Sequence, residues 1–490
     1  MTMHEWLKNL TLTRCWQTHA YWGGEWHAAP TRYPVRNPAT GETIAEVVDC
    51  GRRETEAAID AAAYAFSSWK NTLAKERSAL LRQWHARIVD NAEPLAQLIT
   101  LECGKPLAEA RGEVAYAASF VEWFAEEAKR VYGDLIPTPQ ADRRLMAWKQ
   151  PVGVCAAITP WNFPAAMITR KVAPALAVGC TVVVKPAEQT PLTALALAAL
   201  AEDAGFPAGV FNVVTGSRPE VIGATLTASP IVRKLSFTGS TEVGRLLMAQ
   251  CAPTLKRLSF ELGGNAPFIV FDDADLDAAV AGALASKYRN AGQTCVCANR
   301  LIVQEGIYDA FAERFAAEVS KLRVGPGWEA GVAVGPLIDA AAIAKVTRLV
   351  EEAVSRGAQV RCGGHLLTEL GNQFYAPTVL TNVTAEMAIA REEIFGPVAP
   401  IYRFRTDDEA VALANATEYG LAAYFYARDV GRVWRVAEQL DYGMIGINTG
   451  IISSEVFPFG GVKQSGFGRE GSKYGVEEYL EIKAICLAGV

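Results

Sequence analysis

The amino-acid sequence predicts an α/β protein in which two parallel-sheet domains follow each other along the chain. From about residue 152 onward, short β-branched runs alternate with longer amphipathic stretches, a pattern typical of a parallel sheet with helices on its faces. The alternation begins again after a seam near Leu258–Gly264. The chain has 490 residues, half of them hydrophobic, which suffices for two or three domains with buried cores.

The elements of both series follow from hydrophobic periodicity and from the turn residues between them. The predicted strands are Val152–Ile158, Thr181–Lys185, Val210–Val214 and Lys234–Phe237, then Pro267–Phe271, Leu301–Val303, Val398–Phe404, Ala422–Tyr426 and Met444–Ile447. The predicted helices between them are Ala165–Val178, Pro191–Ala204, Arg218–Thr227, Tyr308–Leu322 and Ala341–Ser355.

The region before residue 152 has a different pattern. Helical periodicity predicts three long helices, Arg53–Asn71, Lys75–Ile99 and Lys105–Arg130. The alternating polar and apolar residues of Arg143–Lys149 predict an extended excursion from the main body.

Composition excludes several classes of partner. A formal net charge of −6 argues against nucleic acid or an anionic membrane surface, although it is compatible with an anionic small molecule. No apolar run is long enough for a transmembrane helix, and the N-terminus does not resemble a signal peptide. The ten cysteines are scattered, without a CxxC pair or zinc-type spacing, so we expect free thiols, no metal site and a cytoplasmic location.

Cys295, at the end of the segment Tyr288–Cys295, is a candidate nucleophile. A single cysteine in a long chain is usually a small buried hydrophobic residue. Cys295, however, follows a Gly-Gln-Thr turn just after a helical run. A residue at such a bend can be reached by a substrate.

Two other segments supply groups that a cysteine nucleophile needs. Glu261 stands between two apolar residues and precedes paired glycines. Apolar neighbours raise the pKa of a carboxyl group and so favour a general base, although a structural salt bridge is the alternative. Asn162 follows a predicted strand, where its amide can donate a hydrogen bond to a developing oxyanion; the alternative is a simple proline-bounded turn.

Two further segments suit a dinucleotide. Lys185 and Glu188 follow a predicted strand and pair a donor with a carboxylate, as a nucleotide ribose requires, although such residues are often merely solvated. Phe237–Gly244 reads as a strand turning into a helix through small residues. It is neither a GxGxxG nor a P-loop motif, but a helix N-terminus of this kind can hold a phosphate.

Together with Glu393-Ile-Phe-Gly-Pro, these motifs resemble the aldehyde dehydrogenase superfamily, in the same order and over essentially the whole chain. The resemblance implies two Rossmann-like, doubly wound domains, one cofactor-binding and one catalytic. It implies that Cys295 attacks an aldehyde as a thiolate, that Asn162 and the Cys295 amide hold the oxyanion, and that Glu261 activates the water that hydrolyses a thioester. For NAD or NADP it implies contacts with Thr159, Pro160, Trp161, Lys185, Pro186, Ala187, Glu188, Gly239, Ser240, Leu262, Glu393 and Phe395.

Within the superfamily the chain is most similar to the succinate-semialdehyde dehydrogenase group, through Ala165–Lys171, Tyr288–Asn290 and Gly450–Ser454. This resemblance assigns Arg170, Arg289 and Ser453 to the distal carboxylate of the substrate, and guanidinium groups suit a carboxylate well. Without it, both arginines would be interpreted as helix-surface cations. The expected reaction is oxidation of succinate semialdehyde to succinate, with glutarate semialdehyde or another ω-carboxy aldehyde as the alternative.

Three finer expectations concern regulation, cofactor choice and assembly. The resemblance suggests that Cys297 forms a reversible disulfide with Cys295 under oxidation; the alternative is a packed small residue. Glu188 would repel a 2′-phosphate, so we expect NAD to be preferred over NADP, although nearby lysines, including Lys185, could permit both. Residues 1–130 and 151–258 are expected to form the dinucleotide-binding domain, 259–465 the catalytic domain, and 131–150 with 466–490 an oligomerisation segment of a homodimer or homotetramer.

Three other functions fit the sequence less well. A cysteine hydrolase using Cys295, Glu261 and a lysine would not need the nucleotide-binding segments. A non-catalytic structural protein would not need Asn162, Glu261, Cys295 and Glu393 together. An enzyme that transfers the acyl group to coenzyme A is disfavoured because Glu261 is suited to activating water.

Overall fold

The computed structural model describes residue 6 and residues 14–489. The strands, numbered along the chain, are β1 (Ala20–Trp22), β2 (Glu25–His27), β3 (Arg32–Arg36), β4 (Thr43–Val48), β5 (Asp134–Ile136), β6 (Arg143–Pro151), β7 (Val154–Ile158), β8 (Thr181–Lys185), β9 (Phe211–Val213), β10 (Val232–Thr238), β11 (Arg257–Glu261), β12 (Ala266–Val270), β13 (Ala298–Gln304), β14 (Gln359–Cys362), β15 (Thr378–Thr381), β16 (Val398–Phe404), β17 (Ala422–Tyr426), β18 (Met444–Ile447), β19 (Gly466–Phe467) and β20 (Leu480–Ala488). The α-helices are Arg52–Trp69, Ala74–Asp90, Ala92–Cys103, Leu107–Glu127, Ala166–Val178, Pro191–Asp203, Pro219–Ala228, Thr241–Cys251, Leu276–Tyr288, Tyr308–Val319, Ala340–Ser355, Ala388–Arg391, Asp407–Asn415 and Val430–Gln439. Within the described residues, no helix combines the length and apolarity needed to span a bilayer.

The first large sheet has eight strands in the order β19-β11-β10-β7-β8-β9-β1-β2. Its central strands, from β11 to β9, are parallel, because a helical crossover connects each of them to the next along the chain. Strand β8 has the bounds predicted from the sequence. This helix-covered parallel sheet is the predicted Rossmann-like cofactor domain.

The second large sheet has seven strands in the order β14-β15-β16-β13-β12-β17-β18, and only its edge strand β14 is antiparallel. Strand β11 still belongs to the first sheet and β12 to the second, so the chain passes from one to the other at residues 262–265. This second helix-covered sheet confirms the predicted α/β fold class with two Rossmann-like domains.

A three-stranded sheet, β20-β6-β5, forms the excursion predicted around Arg143–Lys149. Strand β20 pairs antiparallel with β6 from Leu480↔Pro151 to Ala488↔Arg143. Gly466–Phe467, at the start of the predicted oligomerisation segment, form β19, an edge strand of the eight-stranded sheet, and the segment's role in assembly stays a prediction. The Phe467 ring packs on Phe260 at 5.2 Å between centroids, and this contact keeps the segment on the main body.

The prediction of one helix over Lys75–Ile99 is wrong, because the chain forms the separate helices Ala74–Asp90 and Ala92–Cys103. Asn91 between them has φ −109° and ψ 25°, outside the helical region. Pro94 explains the break, since in a continuous helix its ring would clash with the carbonyl of Asp90 and it has no N–H to donate. In the first turn of a new helix, proline has neither disadvantage.

The carboxyl ends of the central strands bring the predicted motifs together at one edge of the first sheet. Ile158 of β7 pairs with Lys185 of β8 and with Phe237 of β10. Thr238, at the end of β10, pairs with Glu261, at the end of β11. The loops that follow these strands therefore begin side by side, where open α/β sheets bind their ligands.

Candidate active site

The predicted nucleophile, base and oxyanion donor line one cavity of about 350 Å³. The sequence-predicted residues that line this cavity are Pro160, Trp161, Asn162, Gly239, Ser240, Glu261, Leu262, Cys295, Glu393 and Phe395. The sequence did not point to the start of the helix Ala340–Ser355, which also borders the cavity through residues such as Ala341 and Lys345.

Cys295 reaches the cavity because the preceding loop bends sharply. Asn290, Ala291 and Gly292 have φ values of 52°, 56° and 74°, three successive residues in the left-handed region. At Gly292 a Cβ atom would lie 2.2 Å from the Gly396 carbonyl oxygen, so only glycine fits. The Cys295 side chain is half-buried, and burial, reinforced by the charge of Glu393, raises its pKa to about 12. The thiol therefore needs a base to accept its proton.

Asn162 is held with its side-chain amide in a defined orientation. Its Nδ2 donates to the carbonyl oxygen of Gln293, two residues before Cys295, at 3.0 Å. This bond fixes which side of the amide is the donor, because the flipped amide would place Oδ1 against another oxygen. The second Nδ2 hydrogen is left for a ligand of the cavity that Asn162 and Cys295 both line.

Glu261 lies at the cavity beside a buried charge cluster that the sequence did not predict. Burial and the neighbouring Glu470 carboxylate raise the pKa of Glu261 well above its usual range. Glu470 forms ion pairs with Arg170 and Lys171. Although burial alone would raise it, these two cations hold the pKa of Glu470 below its usual value. The pKa values of the two carboxyl groups are therefore shifted in opposite directions, a pattern found where carboxyl groups take part in acid–base chemistry.

The cofactor side of the site has features that fit a dinucleotide. Ser240 caps the helix Thr241–Cys251 by accepting a hydrogen bond from the Val243 N–H, and Gly239 and Ser240 line the cavity at this helix N-terminus, a position that suits a phosphate. Glu393 accepts a hydrogen bond from the Gly264 N–H at 2.9 Å, and burial raises its pKa to about 7. The rings of Trp161 and Phe395 meet edge to face at 5.7 Å.

The remaining predicted cofactor residues lie beside this cavity rather than in its wall. The Thr159 N–H donates to the Lys185 carbonyl oxygen at 3.1 Å, which joins the ends of β7 and β8. Lys185 Nζ lies 3.0 Å from a Glu188 carboxylate oxygen, and Pro186 and Ala187 connect the two residues. Their position beyond the strand ends fits an adenosine ribose.

Two of the three predicted substrate residues, Arg289 and Ser453, line a second, small cavity together with Thr294 and Val296, the two neighbours of Cys295. Cys295 stands between these two lining residues in the chain, and its own side chain lines the first cavity. The Arg289 guanidinium stacks 5.2 Å from the ring of Phe163.

Arg170, the third substrate residue, is not a helix-surface cation, since its side chain is 1% exposed. Its Nη2 is buried without a hydrogen-bond partner among the described residues, and so is the hydroxyl of Tyr116. Burial raises the pKa of Tyr116, and the charges of Arg170 and Arg289 oppose that rise. Tyr116, in the middle of a long helix, carried no signal in the sequence.

Cys297 is packed behind the nucleophile. Its Sγ donates to the Gly292 carbonyl oxygen at 3.3 Å and lies 3.8 Å from the Nζ of the buried Lys287. Cys295 and Cys297 are both free thiols in the structure. The disulfide between them stays a prediction.

A cysteine, a buried carboxyl group and a helix N-terminus beside the strand ends, all around one cavity, are the features expected of a nicotinamide-dependent oxidoreductase. The model of the aldehyde dehydrogenase family matches residues 26–485, and the chain belongs to this family. It is 61% identical over 479 residues to glutarate-semialdehyde dehydrogenase of Pseudomonas aeruginosa, covering 97% of this chain and 99% of that one. It is 62% identical over 466 residues to succinate-semialdehyde dehydrogenase [NADP(+)] of Escherichia coli, covering 95% and 96%. The crystal structure of succinate-semialdehyde dehydrogenase from Burkholderia pseudomallei is similar with a TM-score of 0.97 and 60% identity, over 98% of this chain and all of that one.

Proposed function

We propose that this aldehyde dehydrogenase oxidises succinate semialdehyde to succinate, with glutarate semialdehyde as the alternative substrate. The observation that carries the proposal is the second cavity, which Arg289 and Ser453 line together with the two chain neighbours of Cys295. The buried Arg170 Nη2, which has no hydrogen-bond partner among the described residues, favours an anionic ligand that satisfies it. Relatives of nearly equal identity are named for the two aldehydes, so the test includes both.

In the proposed reaction, Glu261 accepts the Cys295 thiol proton and passes it to solvent, and Sγ forms a bond to the aldehyde carbon while the carbonyl π electrons move to its oxygen. The resulting oxyanion of the thiohemiacetal accepts hydrogen bonds from Asn162 Nδ2 and the Cys295 N–H. When bound, NAD(P) would supply the hydride acceptor for that carbon, and Cys295 would then carry the acyl group as a thioester. Glu261 then removes a proton from a water molecule, whose oxygen attacks the thioester, and the thiolate leaves.

For the cofactor we propose contacts of Lys185 and Glu188 with the adenosine ribose and of Glu393 with the nicotinamide ribose. We propose that NAD is preferred, because the Glu188 carboxylate would repel a 2′-phosphate. The relative from Escherichia coli is named for NADP(+), so both cofactors need to be compared. We expect Glu188→Ser to shift the ratio of kcat/KM toward NADP by at least about tenfold, which corresponds to about 1.4 kcal/mol. An unchanged ratio would remove Glu188 from the cofactor assignment.

Exposed apolar side chains of the three-stranded sheet support assembly into a homodimer or homotetramer. Leu135, Trp148 and Ile482 are 83%, 56% and 72% exposed. The strand register puts Leu135 and Trp148 on one face of the sheet and Ile482 on the other, and exposed apolar side chains that share a face often mark a contact surface. The free cysteines support a reducing, cytoplasmic location.

The substrate proposal is tested by initial rates with succinate semialdehyde, glutarate semialdehyde and butanal, each with NAD and NADP. We expect both carboxylated aldehydes to exceed butanal in kcat/KM. The variant Arg289→Met should lower kcat/KM for the carboxylated aldehydes by roughly tenfold to 100-fold, since a hydrogen bond to a charged group contributes about 1.5–3 kcal/mol. It should leave butanal oxidation nearly unchanged. An equal loss for all three aldehydes would show that Arg289 does not read the distal carboxylate.

A further inference from the structure

Lys105 is a buried lysine close to the proposed active site, and none of the roles assigned above involves it. It stands in the short link between the helices Ala92–Cys103 and Leu107–Glu127, and its side chain is 1% exposed. Its ammonium group forms an ion pair with Glu113 and donates to the Asn162 carbonyl oxygen at 2.8 Å. It also lies 3.7 Å from the centroid of the Phe163 ring.

Glu113, the ion-pair partner of Lys105, contacts the far end of the loop that begins at Asn162. One of its carboxylate oxygens accepts hydrogen bonds from the N–H groups of Ala165 and Ala166, at 2.9 and 3.3 Å. The ion pair therefore holds both ends of residues 162–166. Pro164, in the middle of this loop, has no N–H to donate.

The same network reaches the nucleophile loop. The Asn162 carbonyl oxygen also accepts a hydrogen bond from Asn290 Nδ2 at 3.0 Å. The Asn162 side chain in turn donates to Gln293, two residues before Cys295. The position of Asn162 relative to Cys295 is thus set by contacts on both its backbone and its side chain.

We propose that Lys105 is a positioning residue: with Glu113 it fixes the backbone of Asn162 and so aims the Asn162 amide at the oxyanion. Stability alone is a weak explanation for the pair, because the desolvation cost of two buried charges commonly cancels their attraction, and apolar residues of similar volume often serve as well. A fixed oxyanion donor, by contrast, matters directly for the rate. The inference rests on the proposed role of Asn162.

The test compares Asn162→Ala, the double variant Lys105→Met with Glu113→Gln, and the triple variant. Replacing both partners avoids leaving a buried unpaired charge, which would threaten folding. We expect the double variant to lower kcat about 100-fold, because a misplacement of about 1 Å has an effect of that size. KM should change little. Alkylation of Cys295 by iodoacetamide should keep its rate, because that reaction uses no oxyanion donor.

The triple variant decides whether Lys105 acts through Asn162. We expect the Lys105 and Glu113 substitutions to lower kcat by less than about twofold once Asn162 is alanine, whereas independent effects would multiply. The inference would be overturned if the kcat losses of Asn162→Ala and of the double variant multiplied in the triple variant. It would also be overturned if the double variant kept its kcat while Asn162→Ala was impaired. Full activity of Asn162→Ala would instead refute the proposed oxyanion role itself.

Lys256→Met is the matched control. Lys256 is also buried and its ammonium also binds backbone carbonyl groups, those of Ser229 and Val232, away from the active-site cavity. We expect a lower melting temperature and an unchanged kcat. If this control lost activity as the double variant does, general destabilisation would explain both and the inference would fail.

Discussion

Gly264 is a position where a single added methyl group should displace the nucleophile. A Cβ atom there would lie 2.3 Å from the Cys295 carbonyl oxygen, whereas real Cβ contacts are essentially never below 3.0 Å. One of the two segments must therefore move by about 0.7 Å, the difference between 3.0 and 2.3 Å. The clash is with backbone, so a side-chain rotation cannot relieve it. Gly264 also donates to Glu393, so the cofactor side of the cavity should shift as well.

We expect Gly264→Ala to lower kcat/KM roughly tenfold to 100-fold, because a misplacement of about 1 Å reduces rates about 100-fold. The assay is aldehyde-dependent formation of NAD(P)H, with the alkylation rate of Cys295 as a direct report on the thiol. Gly112→Ala is the control, since nothing lies within 4 Å of its added Cβ atom. If the activity of Gly264→Ala stayed within about twofold of that of the unmodified protein, the reasoning would be refuted, because a change of that size is no larger than the usual scatter of mutational effects.

Three further predictions follow from the buried groups. Because burial raises the pKa of Glu261, kcat should fall as the pH is lowered, and the fall should begin at a pH above the usual carboxyl pKa range. Glu261→Gln should remove this acid limb of the kcat profile and lower kcat about 100-fold or more, while a burst of one NAD(P)H per site remains. Peroxide should inactivate the protein with a loss of two hydrogens that reductant restores, and Cys297→Ala should lack this form; an unchanged intact mass would refute the disulfide. Burial raises the pKa of Glu102 from 4.5 to about 8, so the folded state holds the Glu102 proton more tightly than the unfolded state does. The free energy of unfolding should therefore fall as the pH rises from about 4.5 to about 8, by up to about 1.4 kcal/mol per pH unit. Urea unfolding of Glu102→Gln at each pH should lack this dependence.

The nine strands named in the sequence analysis could be predicted because each is a short apolar run between turn residues, whereas strands such as β11 and β15 were not predicted. The strand Thr181–Lys185 has the same bounds in the prediction and in the structure, and every one of its residues is buried. The break at Asn91 was missed because the apolar face continues across it, so periodicity alone gave no signal. Pro94 was the available signal, and it was overlooked.

The residues of the candidate site likewise fall into those that a local sequence pattern could identify and those that it could not. Asn162, Glu261 and Cys295 lie in motifs at the ends of strands or helices, so a local pattern could identify them. Glu470 lies about 300 residues from Arg170 in the chain, and only the closing of strand β19 onto the eight-stranded sheet brings them together. Partners joined by tertiary structure alone leave no local pattern.

The buried cluster of Arg170, Lys171 and Glu470 would link substrate binding to the pKa of Glu261, provided that the distal carboxylate of the substrate binds at Arg170. The Arg170 charge lowers the pKa of Glu261, whereas burial and Glu470 raise it. A bound carboxylate would neutralise part of that guanidinium charge, and the pKa of Glu261 would then rise further. The pH dependence of kcat reports groups in the complex with substrate. We therefore expect the acid limb of kcat to lie at higher pH with succinate semialdehyde than with butanal, and Arg170→Met to remove this difference. Superimposed limbs for the two aldehydes in the unmodified protein would mean that the distal carboxylate binds away from Arg170, with Arg289 as the remaining cation of the subsite.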